Sequence, residues 1–423
     1  MFGYNPIDTT KSWTDDLPKC KHTGVGFTGN NFTCSQFPKK ITDRFFNCEI
    51  QDNICLYVIF SGHNGSEVAD LSMQHMPAEI IFDQLRGKNT DEEVREVLKQ
   101  SFISVEKSYQ NSIDNLLAQK ACFQCNIAEH QGNEAESLSK LTELEQRLNV
   151  GASIALCLTF KNKLFICNVG TCRVLLCKID ENKAPRVIQF SVDHNLSNSD
   201  EALRLEHLGL NANHLRSTPI FETRAIGCYQ GKGGFKDSQY LKGAKSEPIL
   251  SQPEIVGGIM IDNSSQFLIL MSSGACKILN QIYCGDTAQE NREIIKMCSK
   301  EFECQSSLTE VAQSVVEKLV NLYHQKYPGR FVDDVSIILR NFQMPKRAVH
   351  INSDVEDIPL SERSTYTTGS NYSNDKMTNN IPTPDEKKEP LKKVQPYVDF
   401  SCYHENVRRA RAQGTLPNDI DFD

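Results

Sequence analysis

The segment that most constrains the fold is Ile54-Cys-Leu-Tyr-Val-Ile-Phe60, an apolar run without polar alternation. A strand with one wet face alternates in polarity, whereas one buried on both faces reads as a continuous run. The run ends in Ser61-Gly-His-Asn-Gly65, a turn-rich sequence. Residues 152–160, 164–169, 174–177, 267–271 and 335–339 read as further buried strands. Two sheets packed together, each covered by helices on its outer face, would bury every one of them on both sides.

The helices announce themselves differently. Thr90 followed by Glu93 forms a capping box, and Val94, Val97, Leu98, Phe102, Val105, Ile113, Leu116 and Leu117 then mark one helical face. Leu138, Leu141, Leu144 and Leu148 predict another helix, after a polar interruption. Ser307 with Glu310 opens a third, lined by Val311, Val315, Leu319, Val320 and Tyr323. A helical region after residue 65 is expected to be interrupted or kinked at Pro77. Ser199 is expected to cap a short helix ended by Gly209, and residues 1–50 show no clear period. Runs of strands set apart from long helices place the chain in the α+β class.

The chain has 423 residues, is 39% hydrophobic and 24% charged, and carries a net charge of −8. That composition is ordinary for a globular protein, and its mild acidity speaks against nucleic acid or anionic lipid as partners. The 16 cysteines are scattered rather than clustered, the N-terminus lacks signal-peptide character, and no apolar run could span a bilayer. A cytoplasmic setting with reduced thiols is expected. Cys122 and Cys125 have CxxC spacing inside a helical pattern and no second pair at zinc-site distance. Residues 350–390 hold almost no large apolar side chains and read as a disordered linker.

Five short segments carry a resemblance. They are Phe60-Ser-Gly-His-Asn-Gly65, Asn168-Val-Gly-Thr-Cys-Arg173, Thr223-Arg-Ala-Ile-Gly-Cys228, Leu270-Met-Ser-Ser-Gly274 and Asp333-Asp-Val-Ser336. In order and spacing the chain resembles the metal-dependent, PP2C-type serine/threonine phosphatases, whose motifs read F-D-G-H-G-G, N-x-G-D-S-R, S-R-A-x-G-D, L-x-S-D-G and D-N-x-[ST]. The resemblance implies a layered β-sandwich flanked by helices. It also implies that the acidic positions have been replaced. Ser61, Thr171, Cys228 and Ser273 stand where that family has Asp, and Lys277 stands at a further acidic position. Asp333 remains, Gly62 could still lend a carbonyl, and the early Met-Glu-Asp-Ala segment has no evident counterpart between Gly24 and Asp52. Such a set implies no bound metal cofactor and no catalytic residue. Lys277 is expected to pair with Asp333, and His63, Asp193 and His194 to be structural.

Two further segments narrow the resemblance. Ser12-Trp-Thr-Asp-Asp-Leu-Pro18 and Pro396-Tyr-Val-Asp-Phe400 are similar to signatures of PP2C-like pseudophosphatase adaptors that bind and activate TGF-β-activated kinase, a MAP kinase kinase kinase. This implies four parts: a pseudophosphatase domain over 1–345, a linker over 346–393, a kinase-binding helical motif over 394–412 and a flexible end over 413–423. Asp399 suits an N-cap, Phe400, Tyr403 and Val407 share an apolar face, and Tyr397 and Val398 precede them. The adaptors have Phe where this chain has Tyr403, and a tryptophan soon after that it lacks. Their other partners, stress-activated MAP kinases and ubiquitin-pathway proteins, are implied in the same way, and Thr383 between two prolines is a candidate phosphorylation site. The alternative expectation is a weakly active manganese- or magnesium-dependent protein phosphatase.

Overall fold

A computed structural model describes residues 13–28, 41–51, 54–82, 84–129, 134–218, 222–305, 307–343 and 356–357. The chain divides into two units, Met1–Gly369 and Ser370–Asp423, and all described residues fall in the first. In the first unit, β1 (Thr23–Phe27), β2 (Asp43–Gln51) and β3 (Ile54–His63) precede helices α1 (Glu67–Ile81), α2 (Asp91–Ala128) and α3 (Glu134–Leu148). Then come β4 (Gly151–Phe160), β5 (Lys163–Val169), β6 (Arg173–Ile179) and β7 (Pro185–Gln189), the short α4 (Ser199–His207) and α5 (Ala212–Leu215), and β8 (Ile226–Gly227). The remainder is β9 (Glu254–Met260), β10 (Ser265–Met271), α6 (Ser273–Ile282), α7 (Thr287–Cys304), α8 (Leu308–Lys326), β11 (Ser336–Asn341) and β12 (Glu356–Asp357).

The strands form two sheets, in the orders β1-β11-β10-β6-β7-β12 and β2-β3-β4-β5-β9, with β8 added to β4. Only the pairing of β12 with β7 is parallel among the described strands. Period-two alternation divides each central strand between two cores. In β3, Tyr57 and Ile59 enter the layer between the sheets, packing with Ala155, Ile166, Leu176, Leu268 and Ile338. Leu56, Val58 and Phe60 face the other way, against Met76 and Ile80 of α1 and Leu98, Phe102 and Val105 of α2. The other sheet repeats this with Phe267, Ile269 and Met271 against Val315, Leu319 and Val320 of α8. The α+β sandwich flanked by helices, expected from the sequence, is thus the fold.

Both capping boxes form. Thr90 Oγ1 accepts from the Glu93 N–H at 3.2 Å and Ser307 Oγ from that of Glu310 at 3.2 Å, while each glutamate accepts the cap's own N–H. Four expectations need correction. Helix α1 is not interrupted at Pro77, which lies inside it and is buried. The cap of α4 is Asn198, whose side chain accepts from Asp200 N, although Gly209 beyond its end is left-handed with φ 90°. Residues read as aperiodic supply β1 and β2. Glu356–Asp357, inside the stretch read as linker, pairs with Arg186 and Val187 of β7.

Residues 194–218 and 222–250 contribute a small core of Leu196, Leu205, Leu215, Leu241 and Ile249. Ion pairs tie this segment to α2: buried Lys232 Nζ donates to buried Glu106 Oε1 at 2.6 Å, and Lys120 Nζ to the exposed Asp237 Oδ2 at 2.7 Å. Among the described residues no helix is long and apolar enough to cross a membrane. The segments 394–412 and 413–423, most of 346–393, and with them Thr383, Tyr397, Val398, Asp399, Phe400, Tyr403 and Val407, lie outside the described residues.

Candidate functional site: a cleft at the strand ends

The five sequence landmarks converge because antiparallel pairing carries the C-terminal end of β3, the β5–β6 turn, β8 beside the start of β4, the end of β10 and the start of β11 to one edge of the sandwich. The β5–β6 turn depends on Gly170, at φ 83°, a conformation that costs a glycine nothing. Thr171 follows it and is buried, as are Ser61 and Ser273.

Ser61, Gly62, Ser273, Lys277 and Asp333 line one recess of about 350 Å³. Ser61 Oγ and Ser273 Oγ lie 3.0 Å apart, and Ser61 Oγ donates to Asp43 Oδ1 at 2.7 Å. The ion pair expected from the sequence forms, with Lys277 Nζ 3.1 Å from Asp333 Oδ2. Asp334 instead accepts from Thr42 N at 2.5 Å and Thr42 Oγ1 at 2.9 Å. Helix α6 approaches this loop so closely that a Cβ on Gly274 would sit 2.0 Å from the Asp334 carbonyl oxygen.

Asp43 is the residue that the sequence reading missed. It opens β2 directly opposite Ser61, within the stretch between Gly24 and Asp52. Burial pushes its carboxyl up to about 7, helped by the neighbouring Asp334 and opposed by the Ser61 hydroxyl. The available signal was Asp43-Arg-Phe-Phe just ahead of the β3 run, a strand whose partner is next in sequence.

Thr171 and Cys228 fall on the other side of the cleft. Thr171 Oγ1 donates to Glu222 Oε1 at 2.8 Å, and Ser153 Oγ donates to the same oxygen. Glu222 is a second carboxylate the sequence reading did not single out. Cys228 lies beside His63, its Sγ 2.9 Å from Nε2, in a cleft of about 630 Å³. Burial opposes protonation of His63, but Cys228 and Glu222 more than offset it and raise the imidazole to about 9. His194 is fully buried, and burial with Arg224 nearby lowers it to about 4, as a structural histidine would be. Asp193 is structural too: its Oδ2 accepts from Arg173 Nη2 at 2.6 Å.

Arg173, from the second landmark, is fully engaged below the cleft. Its other terminal nitrogen donates to Glu290 Oε2 at 2.8 Å and Asn291 Oδ1 at 3.1 Å, both on α7. Asn291 in turn donates to Gln189 Oε1 at 2.9 Å. Cys122 and Cys125 are both exposed near the end of α2. Among the described residues no group of three or more His, Cys, Asp or Glu side chains is arranged to hold a metal ion.

Comparison with known proteins agrees with this geometry. The family model of protein phosphatase 2C matches residues 26–321. A curated relative from Caenorhabditis elegans, "TGF-beta-activated kinase 1 and MAP3K7-binding protein 1", is 24% identical over 80% of this chain and 82% of its own length. "Probable protein phosphatase 2C 2" of Paramecium tetraurelia is 26% identical over 55% of this chain and 67% of its own. A solved structure of a C. elegans sex-determining protein shares the fold, with a TM-score of 0.50 at 14% identity, over 76% of this chain and 65% of that one. With a sandwich of two helix-covered sheets, five landmarks on one edge and a family match over most of its length, the chain belongs to the protein phosphatase 2C family.

Proposed function

We propose that the chain is a non-catalytic signalling adaptor that binds and activates a TGF-β-activated kinase of the MAP kinase kinase kinase class. The observation that carries this reading is the chemistry of the cleft. The family's reaction needs two hard divalent ions, which take oxygen ligands and above all carboxylates. Here the recess around Gly62 is lined by the hydroxyls of Thr42, Ser61 and Ser273, the Lys277 ammonium group and three carboxylates, Asp43, Asp333 and Asp334. Asp43 accepts from Ser61 through Oδ1 and is shifted toward its neutral form, Asp334 accepts from Thr42, and Asp333 faces Lys277. Those residues do not fit a dinuclear centre, and no hydrolytic step is assigned to them.

The partner is supported by the C. elegans relative, whose name describes binding to such a kinase and which is matched over most of its length. In this proposal residues 394–412 form the docking helix, with Phe400, Tyr403 and Val407 as its apolar face and Tyr397, Val398 and Asp399 at its start. Helix-in-groove docking after a tether is a common recognition mode. Residues 346–393 serve as the tether, with Thr383 open to a proline-directed kinase, and the cytoplasm is the compartment. Activation follows from tighter binding to the active kinase conformation.

The test compares full-length protein with Phe400→Ala in binding to and stimulation of the purified kinase. Loss of at least about ten-fold in affinity is expected, the size usual for an aromatic anchor. Unchanged binding would remove the assigned helix. The second reading, a feeble metal-dependent phosphatase, gains from Asp43 and Asp334 being near Asp333. Manganese-dependent turnover of a phosphopeptide that disappears in Asp333→Ala would establish it instead.

A further inference from the structure

We propose that Cys228 is a nucleophilic thiol activated by His63 and Glu222, and a site of oxidative modification by hydroperoxides. The three side chains stand in a row. Cys228 Sγ lies 2.9 Å from His63 Nε2, and the opposite ring nitrogen, Nδ1, lies 3.6 Å from Glu222 Oε2. Both His63 Nδ1 and Glu222 Oε2 are buried and otherwise without a hydrogen-bond partner. An imidazole flanked by a thiol and a carboxylate takes the thiol proton and shares the resulting charge with the carboxylate, an arrangement that activates cysteine nucleophiles.

The surroundings are built for the pair. A Cβ on Gly151 would sit 2.3 Å from Cys228 Sγ and 2.4 Å from His63 Nε2, so only glycine leaves room for the contact. The Cys228 backbone is left-handed, at φ 55° and ψ 54°, and Val150 anchors it by accepting the Cys228 N–H at 2.9 Å. Ser153 and Thr171 fix the other carboxylate oxygen of Glu222, so Oε2 stays turned toward the ring. The charged and titratable groups facing the pair are Glu222, Lys277 on α6 and Tyr109 on α2, with Glu145 and Asp237 further along the cleft. Cys228 is partly exposed into that cleft, whose volume of about 630 Å³ admits small reagents freely.

Other described cysteines lack this combination. Cys157, Cys167, Cys172, Cys276 and Cys298 are buried, and burial raises each thiol. Cys122, Cys125, Cys284 and Cys304 are exposed, with no histidine hydrogen-bonded to sulfur. Acyl transfer is the less suitable chemistry for Cys228, because its own N–H, the usual oxyanion donor, is committed to Val150. With a hydroperoxide no such donor is needed. The thiolate attacks the terminal oxygen, an S–O bond forms as the O–O bond breaks, and sulfur is oxidised by two electrons to a sulfenic acid. The departing alkoxide or hydroxide takes the proton from His63 and leaves as alcohol or water.

The experiment treats full-length protein with limiting iodoacetamide between about pH 5 and 9 and follows each cysteine peptide by mass spectrometry. An ordinary thiol, with a pKa near ~8.5, is less than about 1% ionised at pH 6. Cys228 is expected to react at least about ten-fold faster there than Cys122 or Cys284, and hydrogen peroxide with dimedone to give its adduct first at Cys228. His63→Gln should bring the Cys228 rate down to that of the exposed cysteines, with Cys157 still protected to show that the variant is folded. A wild-type Cys228 no faster than Cys122 at pH 6 overturns the activation without any variant. Fast labelling that survives His63→Gln in the folded variant overturns the role of the histidine. Fast alkylation without a dimedone adduct overturns the hydroperoxide assignment.

Discussion

The network below the cleft and the recess above it handle charge in opposite ways. Below, Arg173 is met by two carboxylates, Asp193 and Glu290, and by the Asn291 amide, with the guanidinium and Glu290 fully enclosed. Above, Ser61 and Ser273 are small and neutral, and the buried carboxylate beside them, Asp43, is displaced toward its protonated form. A buried charge is tolerable only with a partner and complete hydrogen bonding. Around Arg173 each charge meets an opposite charge; in the recess Asp43 meets a hydroxyl and Asp333 the Lys277 ammonium group.

The largest break in this contrast should come from the network. Glu290→Ala leaves Arg173 buried with half its partners gone and is expected to destabilise the fold by about 3–5 kcal/mol, read from denaturant unfolding. A loss below about 1 kcal/mol would mean that water replaces the carboxylate and that the two regions are alike.

Asp43→Asn should move stability the other way. The folded carboxyl titrates near 7, well above its unfolded value, so between the two the folded state binds more protons. Stability is then lost as pH rises from about 4 to 7 and is lowest above 7. The substitution should stabilise the protein above neutrality, on the order of 2–4 kcal/mol, and leave it nearly unchanged at about pH 4. Thermal unfolding of both proteins across that range checks the sign. A destabilisation at high pH would show that Asp43 serves as a charged group.

The smallest effect belongs to Lys277→Ala. Its pair with Asp333 is partly open to solvent, with side chains 29% and 48% exposed. A pair of that kind contributes about 0–1 kcal/mol. The same variant sharpens the comparison by metal titration: if removing the ammonium group alone creates manganese binding in the recess, Lys277 is what holds the cleft free of cations.

Much of the fold was legible because its signals are local. The β3 run, the strands at 152–177 and the capping boxes at Thr90 and Ser307 follow from side-chain period and from hydrogen bonds within four residues. The β2 strand was not legible, since Asp43-Arg-Phe-Phe-Asn-Cys-Glu mixes its polar and apolar residues without clear alternation. Its identity comes from pairing with β3. The site divides in the same way. Ser61, Thr171, Cys228, Ser273, Lys277 and Asp333 stood out by motif, and the Lys277–Asp333 contact could be expected because the resemblance places both at one site and their charges are opposite.

The row of His63, Cys228 and Glu222 could not be expected. His63 and Cys228 are 165 residues apart, and they meet because β8 pairs antiparallel with β4, setting Gly227 opposite Gly151. By itself, then, the sequence determined the class of fold, the central buried strands and the capped helices, because these depend on residue identity and short-range period. Only the tertiary structure decided that Asp43 stands over Ser61, that Arg173 is enclosed by α7 and that a thiol rests on an imidazole. Those are consequences of strand register, and register is set by how the whole apolar set packs between two sheets rather than by any local stretch.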